Sequence, residues 1–121
     1  MLKMKGDTMK LITARTREVV VENLKIAKTP FSRMRGLLFT DQLLPGHGLW
    51  LVPCDSIHSL GMRYAIDVIY LTKAGQVVKL THHFQRNRLG PVVWNAYSVV
   101  ELPAGSLEKI DLKVGDTLQP S

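Results

Sequence analysis

The stretch "IDVIYLTKAGQVVKL", residues 66–80, constrains the chain more than any other. Two runs rich in β-branched residues flank a short polar turn at residues 73–76, with Gly75 free to take the turn conformation, so the segment reads as a β-hairpin. Period-2 alternation puts Asp67, Ile69 and Leu71 on one face and Ile66, Val68 and Tyr70 on the other. Both faces carry apolar side chains. A strand of this kind is covered on both sides, and Asp67 places a carboxylate among apolar neighbours whichever face is inner.

The rest of the chain has the same character. "KLITART" and "EVVVENLKIA" predict two strands before residue 28, "LWLV" (49–52) a third, "YSVVEL" (97–102) another, and "VGDTL" a closing turn and strand. "PAG" marks a turn, and "SLEKIDL" predicts a helical turn or two capped by Ser106. Residues 82–96, with Gly90 and Pro91, read as a polar loop. One longer helix is predicted: Thr29 suits the N-cap, Pro30 the first helical position, and Phe31, Met34, Arg35 and Leu38 fall at i, i+3, i+4 and i+7. "LPGHG" (44–48) ends that segment. The expected fold is mainly β, a β-rich α+β domain: a small antiparallel barrel or sandwich with one main helix packed against it. There is no internal repeat and no glycine-rich phosphate-binding turn.

With 121 residues the chain has room for one domain and a real core. Residues 1–9 read as a flexible N-terminal segment and 10–118 as the globular domain. No apolar run of about 20 residues is present, nor a signal-like h-region of roughly 7 to 15, so a cytoplasmic protein without a transmembrane segment is expected. The single cysteine, Cys54, agrees with a reducing compartment. The net charge of +6 is spread out, and its densest stretches, "RMR" (33–35) and "HHFQRNR" (82–88), do not interleave aromatics with cations. A weak nucleic-acid binder is therefore the third choice of function.

Read in order, "RMRGLLF" (33–39), "PCDSIHSLGMRYAIDVIYL" (53–71), "VVELPAG" (99–105) and "VGD" (114–116) resemble the domain of unknown function 192 family. The likeness spans roughly residues 24–118. It implies a compact β-barrel or sandwich and no particular activity. Many members of that family carry an export signal, and none is read here, so the resemblance implies its cytoplasmic branch. This chain departs from the family in the 84–88 loop, where Arg86 and Asn87 stand in place of a proline and an aromatic.

Several residues could carry chemistry. Arg35 lies on the apolar helix stripe and is the natural partner for Asp67 or Glu101, since an inward guanidinium without a partner is costly. His58 follows Ile57 in a strand-like run, so if Ile57 is core, His58 faces a groove, with Met62 as its adaptable floor. Cys54, after Pro53, reads as a structural thiol in the wall behind that groove. The leading expectation is a non-catalytic binding or accessory module whose groove, lined by Arg35, His58, Met62, Asp67 and Glu101, takes a small anionic ligand or a protein segment. The alternative is an enzyme using His58 with Asp67 or Glu101, or Cys54 as nucleophile. No cofactor or metal is expected. Four residues of strand span about 13 Å, too far for Cys54 and His58 to share a zinc, and the adjacent His82 and His83 point to opposite faces.

Overall fold

The computed structural model describes residues 9–29 and 43–121. Seven strands follow in chain order: β1 (Met9–Thr13), β2 (Val19–Ala27), β3 (His47–Leu51), β4 (Ile66–Leu71), β5 (Val77–Phe84), β6 (Ser98–Pro103) and β7 (Leu118–Pro120). They form one sheet in the order β5-β4-β6-β3-β2-β1-β7. Met9, assigned from sequence to the N-terminal segment, already belongs to β1 and pairs with Leu24.

The expected antiparallel barrel or sandwich is corrected in two respects. First, the sheet is mixed, because β2 and β3 run parallel, Asn23 through Ala27 pairing with His47 through Leu51. Parallel neighbours need a long crossover, and residues 28–46 supply it. Second, the sheet is open. Its edge strands β5 and β7 meet only at one end, through the isolated Gln76–Thr117 bridge and the N–H of Leu118 donating to the carbonyl of Gly75 at 2.8 Å. Gly75 has φ +89°, and a Cβ there would lie 2.6 Å from the Leu118 carbonyl oxygen, so only glycine allows this approach. The main helix expected from Pro30 to Leu38, with Phe31, Met34 and Arg35, lies outside the described residues. Among those described, the helical structure is a single 3-10 turn, Ser106–Lys109.

The curled sheet buries apolar side chains on both faces. On the inner face Leu11, Val21, Leu24, Ile69, Leu71, Val100 and Leu102 pack with Leu107 from the 3-10 turn and Leu118. The outer face of β4 and β6 buries Ile66, Val68, Tyr70 and Val99 against Ile57 and Met62 from the 52–65 loop, flanked by Leu49, Cys54 and Tyr64. Every residue of β4 is buried, as its continuous apolar run requires. Gly48 of β3 admits the inner-face packing, since a Cβ there would lie 3.0 Å from the Leu102 side chain and 3.1 Å from that of Val21.

Candidate functional site

Asp67 is fully buried among apolar neighbours, as the strand parity implies, and the face it occupies is the inner one. Opposite it, β5 bulges: Ile66 pairs with Phe84 and Val68 with Thr81, so the partner strand carries an extra residue. His83, within the bulge, has φ +51°. Its N–H donates to Asp67 Oδ1 at 2.8 Å, and the N–H groups of Gly105 and Leu107 donate to Oδ2 at 3.1 and 2.8 Å. One carboxylate thus satisfies the bulge and caps the 3-10 turn from across the sheet. The cap expected of Ser106 is not formed; its hydroxyl donates to the Pro103 carbonyl at 2.6 Å. His83 Nε2 meets Glu108 at 2.7 Å above this junction, and that contact raises the imidazole from its ordinary value.

Glu101 has the opposite situation. It pairs in register with Val68 on one side and Leu49 on the other, which places its side chain on the outer face, away from Asp67. It is 4% exposed and makes no side-chain hydrogen bond or ion pair among the described residues. Burial pushes its carboxyl up to about 8, which keeps it protonated at neutral pH. Tyr70, opposite Val99 and so diagonal to Glu101, is 1% exposed and also lacks a hydrogen-bond partner among the described residues. Burial, then the nearby Cys54 and Glu101 charges, pushes its phenol up to about 12. Two O–H groups without a partner among the described residues therefore share one apolar cluster, and most buried polar side chains in proteins do have partners.

Cys54 borders this cluster, partly exposed. Its thiol donates to the Ser56 carbonyl at 2.9 Å, and the Val52–Pro53 peptide before it is cis. Ile57 turns into the core and His58 is exposed, its Nδ1 accepting the Leu60 N–H at 3.3 Å. Met62 is buried with Ile57, so it packs the core and gives His58 no groove floor. Arg35 lies outside the described residues. The proposed groove set is thus divided: Asp67 on the inner face, Glu101 and Met62 on the outer, His58 at the surface. Nor do Cys54, His58 and Asp67 meet as nucleophile, base and orienting carboxylate: Asp67 takes backbone donors, Cys54 a backbone acceptor and His58 a backbone donor. Tyr70 was missed as a site residue. Its parity was readable, but its lack of a partner among the described residues was not.

Among the described residues no three His, Cys, Asp or Glu side chains gather to hold a metal ion. An open cleft of about 300 Å³ between β2 and residues 103–110, lined by Val20, Glu22, Ala104 and Lys109, includes none of the candidate site residues named from sequence. No described helix is long and apolar enough to cross a membrane.

The profile of the family DUF192, described as "Uncharacterized ACR, COG1430", matches residues 11–120. A UPF0127 protein of Thermococcus sibiricus is 30% identical over 114 residues, covering 89% of this chain and 72% of the relative. One from Pyrococcus furiosus is 33% identical over 116 residues, covering 85% and 90%. Two crystal structures share the fold. A Novosphingobium aromaticivorans protein of unknown function superposes with a TM-score of 0.80 at 16% identity, over 91% of this chain and 83% of that one. A candidate transcription regulator from Sinorhizobium meliloti gives 0.76 at 19% identity, over 99% and 97%.

Proposed function

Since the chain belongs to the domain of unknown function 192 family, in which no activity is established, we propose a function from its own geometry: a non-catalytic binding module. Its site is the outer face of β4 and β6. Glu101 and Tyr70, buried there beneath the 52–65 loop, offer two neutral O–H donors to an acceptor oxygen of a small carboxylate ligand or a peptide segment that reaches under that loop.

The observation that carries this reading is the pair of buried O–H groups that have no partner among the described residues. A buried carboxyl with no partner among the described residues costs stability there, unlike Asp67, both of whose oxygens accept backbone N–H groups. A carboxylic acid kept neutral by an apolar setting, beside a phenol, is a chemically suitable donor pair for a carbonyl or carboxylate oxygen. The same pair could stabilise an oxyanion in a reaction. Among the described candidates, His58 lies outside the cluster, and the Cys54 thiol at its border donates to the Ser56 carbonyl, which favours the binding reading.

Benzoate is a suitable probe, with binding followed by the side-chain NMR signals of Tyr70 and Glu101. Saturable shifts at both residues are expected. Affinity should fall as pH passes about 8, where Glu101 loses its proton. Glu101→Leu or Tyr70→Phe should weaken binding roughly tenfold or more, the scale of one hydrogen bond to a charged ligand. Unchanged signals at both residues under saturating benzoate would overturn the reading.

A further inference from the structure

Loops 54–59 and 87–97 are zipped together by main-chain bonds. The Cys54 N–H donates to Tyr97, Val93 to Asp55, Gly90 to Ile57 and Ser59 to Arg88, each at 2.8 Å. Ser59 Oγ adds a bond from the Arg88 N–H at 2.9 Å, and Asn87 Oδ1 accepts the Gly61 N–H at 3.1 Å. At the outer end of this ladder the Ala96 N–H returns to the Val93 carbonyl at 3.0 Å, closing a turn with Trp94 at its tip. Trp94 is 93% exposed, Leu89 76% and Val92 69%. A rigid loop that holds an indole and two aliphatic side chains fully in water has no folding reason to do so.

The charge around the loop is of one sign. Between Asp67 and Glu101 the chain has no Asp or Glu and carries Lys73, Lys79, Arg86 and Arg88. Arg86 and Arg88 are exposed where the chain enters the loop, and Lys73 Nζ lies 5.5 Å from the Tyr97 ring where it leaves. In the facing 54–59 segment Asp55 is the one acid.

We propose that this loop docks the protein on an anionic membrane surface, with Trp94, Val92 and Leu89 entering the headgroup layer and Arg86, Arg88 and Lys73 engaging lipid phosphates. Indole at the polar–apolar boundary, flanked by aliphatic side chains and cations, is the composition such a surface takes up. Aliphatic tips do not stack on bases, which disfavours single-stranded nucleic acid. A stable protein partner needs about 800 Å² from each side, more than a single turn tip offers. This inference is independent of the ligand site around Glu101.

Vesicles of phosphatidylcholine alone, and of equal phosphatidylcholine and phosphatidylglycerol, test it by co-sedimentation and tryptophan emission. Trp50 is partly buried and its indole donates to Ser98 Oγ at 2.8 Å, so an emission change reports on Trp94. The expected result is sedimentation with the anionic vesicles alone and a blue shift that disappears in Trp94→Ser. Arg86→Gln with Arg88→Gln should weaken binding by about thirtyfold, from roughly fivefold per cation. Both variants alter exposed side chains and should keep the wild-type melting temperature. No sedimentation with anionic vesicles, equal binding to neutral ones, or an unshifted emission overturns the proposal. So does a blue shift produced by single-stranded RNA or by raising the protein concentration without lipid.

Discussion

Asp67 and Glu101 lie on adjacent strands, one register step apart, and their carboxyl groups face opposite sides of the sheet. Asp67 pairs with Leu102 and turns inward with it; Val68 pairs with Glu101 and both turn outward. The inward acid accepts three backbone N–H groups, while the outward acid has no partner among the described residues. Two buried acids of the same sheet thus differ in use, one holding the fold together and one assigned to a ligand only by the proposal above.

Asp67→Ala should be the most damaging single acid-to-alanine change in the domain. It leaves three buried or half-buried N–H donors without an acceptor and should cost roughly 3 kcal/mol or more. Asp67→Asn keeps one acceptor oxygen but turns an amide N–H₂ toward a backbone donor, so an intermediate loss is expected. The urea midpoint of unfolding measures both.

His58→Ala should leave stability within about 0.5 kcal/mol of wild type. The ring is exposed and accepts one backbone N–H, from Leu60 at 3.3 Å. A drop of several degrees in the thermal midpoint would instead make His58 part of the core.

His83 should titrate above the ordinary histidine value because its imidazolium contacts Glu108. A raised folded-state value means the contact contributes below the unfolded value of about 6.5 and is lost as pH rises through the folded one. Both side chains are at least half exposed, so the effect on global stability is small. Following the His83 ring protons by NMR checks this, and in Glu108→Gln the midpoint should return toward the ordinary value.

Much of the strand framework was legible in the sequence, because β-branched runs, turn glycines and period-2 parity are local signals. The hairpin of β4 and β5 and the burial of both faces of β4 follow from residues 66–80 alone. The parallel pairing of β2 with β3 was implicit, since two strands separated by a long segment read as helical call for a crossover. Reading each element separately led instead to an antiparallel barrel. The partners of Asp67 were not legible. They are main-chain groups of His83, Gly105 and Leu107, brought to it by a bulge and a 3-10 turn that leave no side-chain pattern. Sequence reasoning pairs a buried acid with a cation, because side chains are all it can see.

The pH dependence of unfolding, measured on wild type and Glu101→Leu, tests the central claim most directly. Glu101 rises from about 4.5 unfolded to about 8 folded. Between those values the native state holds a proton that the unfolded state has lost, so stability falls as pH rises, by about 1.4 kcal/mol per unit, and levels off above pH 8. The account predicts that slope in wild type, a nearly flat profile in Glu101→Leu over the same range, and a leucine variant more stable than wild type at pH 8. Matching profiles, or a Glu101 carboxyl carbon that titrates near 4.5 by NMR, would contradict it.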